Sequence, residues 1–205
     1  MTNKNIVPIV TSVNMDDYLS VTIANNRPLF DEYYVLTSDN DKKTHEICSK
    51  HEAKCIKYEG FFKDPICSFG KSAALRHTQQ IIHKVHADKW ILMLDTDILL
   101  PVEISSLDTS EYNRRALYGM RRMDAHSYEK YKSKDFHEFH RHFMGYFQLY
   151  FKKSALYDEE GYVGKDVEFC CNFNRKIMIE GMHAIHIGRR QMHWDGRSGG
   201  RLSWG

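Results

Sequence analysis

Short apolar runs alternate with longer mixed segments through the first hundred residues. Residues 6–13, 33–37, 54–58 and 90–94 have the apolar and β-branched or aromatic character of strands, and residues 16–27, 41–52 and 72–86 between them read as helices. This βαβαβαβ order predicts an α/β domain with a mixed, mostly parallel central sheet and helices on both faces. After Pro101 the pattern changes. A short strand is expected over Ala116–Met120, a mobile loop or short helix over the polar, aromatic stretch Met123–His142, and a strand over Tyr146–Phe151. A helix around Asp166–Arg175 and a last strand near His183–Ile187 follow, before a Gly- and Arg-rich tail from Gly188. No internal repeat, low-complexity block or linker divides the chain, so residues 1–205 are expected to form one domain.

One of these strands ends in charge. In Trp90–Pro101, W-I-L-M-L-D-T-D-I-L-L-P, Asp95 and Asp97 interrupt an otherwise apolar run. Residues i and i+2 of a strand share a face, so the two carboxylates are expected to converge at the C-terminal end of the strand, where open α/β sheets bind ligands. Ionised carboxylates in an apolar setting pair, ligate a metal or lose their charge, and a divalent cation is the natural partner here. The bland alternative is a solvated turn with an N-cap. Asp39-Asn40-Asp41 lies where the second strand hands over to a helix, and it reads equally as an N-cap or as a ligand contact.

Composition narrows the class. With 42% hydrophobic and 27% charged residues the chain is globular rather than disordered, and a net charge of +2 is too mild for a nucleic-acid or membrane-surface protein. The pairs Arg114-Arg115 and Arg121-Arg122 read as solvated surface or as local phosphate contacts. Five cysteines, odd in number and without a C-x-x-C pair, point to reduced thiols and a cytoplasmic setting. The first strand begins almost at the N-terminus, leaving no room for a signal peptide, and no apolar run reaches the roughly 18 residues of a membrane span.

Two motif look-alikes fail. Gly70-Lys71-Ser72 resembles the end of a phosphate-binding loop, but Pro65 stands where that loop needs glycine. The histidine-rich stretch His137–His142 lacks the second zinc-protease histidine, because Arg141 occupies its place. What remains is a set of elements at strand ends and helix starts: Asp95-Thr96-Asp97, Gly70–Arg76, Lys165-Asp166-Val167-Glu168-Phe169, His186-Ile187-Gly188 and His193-Trp194-Asp195-Gly196-Arg197. In order and spacing this set resembles the GT-A glycosyltransferases, in particular the inverting, family-two-like members that use nucleotide-diphosphate sugars. D-x-D is Asp95-Thr96-Asp97, and the family's G-K-(S/A)-x-A-R-N element resembles Gly70–Arg76. Its E-D-x-(D/E)-F element resembles Lys165–Phe169, with lysine in place of the first acid, and its C-terminal H-x-G and (N/H)-W-x-G-R elements resemble His186–Gly188 and His193–Arg197. Small viral or bacterial sugar transferases, chlorovirus-type domains among them, are the nearest in overall pattern.

The resemblance implies a nucleotide-binding half over about 1–100 and an acceptor-binding half over about 101–205. It implies a Mn²⁺ or Mg²⁺ ion held by Asp97 and His186, with His193 as the substitute ligand and Asp95 contacting ribose or a metal-bound water. An imidazole ligand favours manganese. Asp166 is the implied general base, which predicts inversion, and Glu168 is implied to orient the acceptor or to cap. Lys71, Arg76, Asp39 and Arg197 are implied to meet the nucleotide-sugar donor, most commonly a uridine diphosphate sugar. The acceptor would be a glycan or glycoconjugate. Tyr112, Tyr118, Tyr146, Phe147 and Trp194 are candidate sugar-stacking rings, although most of the aromatics read as core, and Met123–His142 is a candidate acceptor lid.

Other classes remain open from sequence. A nucleotidyltransferase would use the same sheet and carboxylates, but Thr11–Asp17 carries none of the glycines its nucleotide loop needs. A nonenzymatic nucleotide-sugar or carbohydrate-binding module needs no Asp166. A zinc-binding interaction protein rests only on twelve histidines without paired ligand spacing.

Overall fold

The computed structural model describes residues 2–62, 70–86, 88–125, 128–139, 143, 145–151, 156–157 and 165–187, with only the backbone of Phe62, Tyr128, Glu129, Phe139 and residues 165–167. Its centre is the parallel pairing of β1 (Ile6–Thr11) with β4 (Trp90–Asp95), in register from Ile6 opposite Trp90 to Thr11 opposite Asp95. Parallel strands outward from β1 are β2 (Tyr34–Thr37) and β3 (Lys54–Lys57). On the other side β4 takes an antiparallel partner, β8 (Phe147–Phe151), which pairs in turn with β6 (Ala116–Asp124). Strand β9 (Arg175–His186) runs parallel to β6, and the short β5 (Ile98–Leu99) closes that edge. The strand order is therefore β3-β2-β1-β4-β8-β6-β9-β5, with β7 (His137–Phe139) also on β6.

Side-chain alternation on these strands builds two cores. Ile6, Val10, Leu92, Leu94, Phe147 and Leu149 face one way, onto α1 (Asp16–Asn26) and α2 (Lys42–Lys50). Val7, Ile9, Ile91, Met93 and Tyr150 face the other way, onto α3 (Lys71–Val85) and α5 (Lys165–Cys171). A sheet buried on both faces reads as continuous apolar runs, which is why β1 and β4 carry so few polar residues. Helix α4 (Tyr128–Ser133) lies between β6 and β7. Among the described residues no helix is long and apolar enough to cross a membrane.

The expected α/β class and the alternating first half are observed, and the second half departs from expectation in three places. Strand β6 continues to Asp124, and the described part of Met123–His142 holds, besides the short helix α4 that is one of the two expectations, a strand, β7. Helix α5 stops at Cys171, and Arg175 instead begins β9. The last strand is twelve residues long, not five. Propensity misses such a strand because its pattern is broken by a bulge at Glu180-Gly181-Met182, where pairing jumps from Met120–Ile179 to Arg121–His183.

A polar cluster pins the outer strands. The Lys54 ammonium is 2.7 Å from Glu32, the Tyr34 hydroxyl donates to Glu32 at 2.8 Å, and His86 Nε2 lies 2.9 Å from that hydroxyl. Burial pushes His86 below its ordinary value of 6.5 despite the pull of Glu32 toward the charged form. A histidine depressed in the folded state contributes stability above its unfolded pKa, and this is lost as pH falls through the folded value. The protein is expected to lose stability below about pH 6.5, and His86→Gln, which keeps a donor but cannot titrate, is expected to flatten that part of the curve in urea unfolding at stepped pH.

Candidate functional site

The acidic turn after β4 is shaped by buried polar residues on α1. Thr22 donates its hydroxyl to the Thr96 carbonyl at 2.7 Å, Asn26 donates to the Ile98 carbonyl at 2.8 Å and accepts from the Leu100 amide at 2.9 Å. Thr96 itself donates to the Thr11 carbonyl at the end of β1. A buried carbonyl left without a donor costs free energy, so these side chains fix the turn that carries Asp97.

Strand alternation does place Asp95 on the α3 face, with Met93 and Ile91. There the Lys71 ammonium, in the first turn of α3, sits 3.2 Å from its carboxylate. The chain turns at Thr96-Asp97 before β5 begins, so i, i+2 alternation does not extend to Asp97. The sequence expectation of two carboxylates side by side on one strand face is corrected accordingly: Asp97 leaves the strand and meets His186.

That meeting is set by β9. The Ile187 amide donates to the Asp97 carbonyl at 2.9 Å, Ile98 pairs with His186, and the Ala125 amide donates to the His186 carbonyl at 2.9 Å. His186 Nε2 is 3.0 Å from Asp97 Oδ2, and Nδ1 is 3.1 Å from Asp124 Oδ1 at the end of β6. The Arg122 guanidinium completes the chain, with Nε 2.8 Å from the same Asp124 oxygen. Burial alone would lift both carboxyls, but His186 holds Asp97 and, together with Arg122, Asp124 below the usual carboxylate range. Burial would lower His186, and the two carboxylates instead push it up to about 9.

Asp124 was not anticipated from sequence. A lone aspartate ending a mixed strand carries no local signal; only pairing of β6 with β9 brings it to His186. The bulge decides which histidine arrives. Were residues 180–182 paired in unbroken register instead of looped out, Met120–Ile179 would be followed by His183 opposite Asp124, whereas His183 is exposed and His186 is buried.

The other predicted residues fall into three groups. Asp41, not Asp39, is the α2 N-cap, accepting from the Thr44 amide at 3.2 Å and from the Asn14 amide at 2.7 Å. Asp39 is exposed beside it. Arg76 donates to the Tyr157 carbonyl at 2.9 Å, next to a network in which Gln79 donates to the Tyr150 hydroxyl at 2.6 Å and accepts from the Tyr157 amide. Glu168 is exposed on α5, while the side chain of Asp166, two residues earlier, lies outside the described residues, as do His193, Trp194 and Arg197. The aromatic expectation is corrected: Tyr118, Tyr146 and Phe147 are core, and Tyr112 stacks on Tyr118 with ring centroids 4.1 Å apart. Buried rings cannot present a face to a sugar.

No three His, Cys, Asp or Glu side chains converge as a closed metal cage among the described residues. Asp97 and His186 still fit a cation bound mainly through a ligand. Asp124 at Nδ1 leaves Nε2 directed at the Asp97 carboxylate, the arrangement by which a second carboxylate orients a metal-binding imidazole.

No family model matches the sequence, and no curated protein matches it. Solved structures do. Mannosyl-3-phosphoglycerate synthase from Rubrobacter xylanophilus aligns with a TM-score of 0.55 at 15% identity, covering 92% of this chain and 68% of that one. Glucosyl-3-phosphoglycerate synthase from Mycobacterium tuberculosis, solved with Mn²⁺, UDP and glucosyl-3-phosphoglycerate, aligns at 0.57 and 12% identity over 91% of this chain and 73% of that one. The same synthase solved with Mn²⁺ and UDP-glucose aligns at 0.55 and 12% over 94% and 73%. The chain has the GT-A-type fold of these structures.

Gly181 carries the bulge at φ 77°, and a Cβ there would meet nothing within 4 Å. Gly181→Ala therefore tests backbone handedness alone. A cost of about 1–2 kcal/mol is expected, seen as a fall of roughly 2–8 °C in the thermal midpoint.

Proposed function

We propose that this chain is a metal-dependent glycosyltransferase that moves a sugar from a nucleotide-diphosphate donor to an acceptor hydroxyl. The observation that carries the proposal is the approach of His186 Nε2 to Asp97 at 3.0 Å with Nδ1 held by Asp124, beside the end of a central parallel strand. Ligands of open α/β sheets bind outside the carboxyl ends of the strands. The GT-A-type fold, and neighbours solved with Mn²⁺ and UDP or UDP-glucose, support a uridine diphosphate sugar as donor.

In this proposal Asp97 and His186, the imidazole having given up the proton it shares with Asp97, would hold Mn²⁺ or Mg²⁺. The cation supplies charge stabilisation to the departing nucleoside diphosphate. Lys71 keeps the Asp95 carboxylate in place toward ribose or a metal-bound water. Asp39 is exposed where it can meet the nucleoside, and Asp41 supports it by tying the β1 and β2 loops together. Arg76 acts at one remove, holding the segment around Tyr157, and Arg197 neutralises phosphate. Asp166 takes the proton from the acceptor hydroxyl on the face of the sugar opposite the diphosphate, so the anomeric carbon inverts. The acceptor is a glycan or glycoconjugate, and α4 with β7 forms part of its binding side.

Calorimetric titration of UDP-, GDP- and dTDP-sugars with and without Mn²⁺ tests the proposal. Saturable, Mn²⁺-dependent binding of one donor class is expected, with loss of that dependence in Asp97→Ala and His186→Ala. No binding of any donor in the wild type overturns the proposal, and binding without turnover across an acceptor panel would leave a nonenzymatic binding module. Asp124→Asn keeps the shape but removes the charge on His186 Nδ1. It is expected to weaken Mn²⁺ affinity by about 10–100-fold while nucleotide affinity measured without metal stays unchanged.

A further inference from the structure

A second concave surface lies at the opposite end of the sheet. It is a cleft of about 530 Å³ where β6 and β9 begin, lined by Arg114, Arg115 and Arg175 with Asn113, Phe151 and Phe173 among the other residues. Phe151 pairs with Trp90 at the start of β4, and Asp95 ends that strand five residues on. That is about 17 Å along the strand, so the cleft is separate from the Asp97–His186 site.

Local structure fixes the cations. The Asn113 side chain accepts from the Arg115 amide at 2.9 Å, and the Ala116 amide donates to the Asn113 carbonyl at 2.9 Å, so the turn that delivers Arg115 is closed. Arg175 opens β9 directly opposite Ala116, which brings it beside Arg115 across two parallel strands. Arg114 lies over the Phe151 ring, 4.4 Å from its centroid. No carboxylate lines the cleft among the described residues. The exposed guanidiniums of Arg115 and Arg175 are charged at any physiological pH. Their planar donor forks match phosphate oxygens two at a time. The volume falls in the roughly 300–1,000 Å³ range of small-molecule sites, and Asn172 and Asn174 add amide donors and acceptors to the lining.

We propose that this cleft binds a phosphate ester, its phosphate held by Arg115 and Arg175 and its organic body seated in the rest of the cleft beside Asn172 and Asn174. The proposal does not rest on the transferase reading. The ester is a soluble phosphorylated metabolite or the headgroup of an anionic lipid, which share this chemistry.

Calorimetry with inorganic phosphate and glycerol 3-phosphate, and co-sedimentation with phosphatidylcholine vesicles with and without phosphatidic acid, separate the two sources. Each is run on the wild type, on Arg115→Gln, on Arg175→Gln, on the double variant and on Lys50→Gln, an exposed lysine on α2. Saturable binding at about 0.15 M salt is expected for the wild type and Lys50→Gln. It should weaken roughly tenfold or more in the double variant, a free-energy change of about 1.4 kcal/mol. Binding of soluble esters alone assigns a metabolite, and binding only to phosphatidic acid vesicles assigns a lipid headgroup. Both arginines are exposed, and thermal midpoints matching the wild type show that the variants are folded; the single variants serve if the double one is not. Equal binding by the arginine variants, equal loss in Lys50→Gln, or no binding in either arm overturns the proposal.

Discussion

Three ionisable groups meet at the rim of the sheet, His186 and Asp124 buried and Asp97 half-buried beside them, and each is compensated by the next. Removing one partner from such a chain leaves a charge without water or counter-ion, which costs several kcal/mol, about 3–5. The backbone around them is arranged to keep them in contact. Strand β5 exists to pair Ile98 with His186, Ile187 bonds back to Asp97, and Ala125 closes the loop after β6. The C-terminal strand is thus tied to the acidic turn through both main chain and side chain.

The two ends of the sheet are used differently. At the carboxyl end of β4 the charges are mixed and internally paired, Lys71 with Asp95 and His186 with Asp97. Such a site can exchange internal partners for the charges of a ligand without exposing apolar core. At the other end the cleft is lined by one sign only. Its arginines complement an anion, and Arg114 lies over Phe151, whose ring meets Trp90 edge to face. The long β6–β9 pair connects the two, beginning at Arg175 and ending at His186.

Helix α1 shows how the site is supported from behind. Thr22 and Asn26 stand four residues apart on a buried face that would otherwise be apolar, and both spend their hydrogen bonds on the turn carrying Asp97. In sequence they weaken the amphipathic signal of the helix; in the fold they are why the turn holds. Arg76 and Gln79 on α3 do comparable work around Tyr157, whose ring stacks on Phe169 at 4.3 Å. A motif arginine can therefore serve a site by positioning a neighbouring segment.

Much of the first half was legible in the sequence because its signals are local. Apolar runs and a cap within Asp39-Asn40-Asp41 depend on residues a few positions apart, and the strands and helices follow within a few residues of expectation. Asp95 and Asp97 could be named for the same reason, since acids at a strand end stand out against their neighbours, whereas His186 was named by the H-x-G element of the family the chain resembles. Asp124 and the exclusion of His183 could not. They depend on a three-residue bulge and on strands β6 and β9, whose paired positions are about sixty residues apart, so that only the completed pairing fixes the register. The burial of Tyr118, Tyr146 and Phe147 has the same origin, because a ring suited to stacking on sugar is equally suited to a core. Sequence alone determined which groups the chain can bring to a site. Tertiary structure decided which of them meet, because side-chain contacts at strand ends are set by pairing between segments distant in the chain.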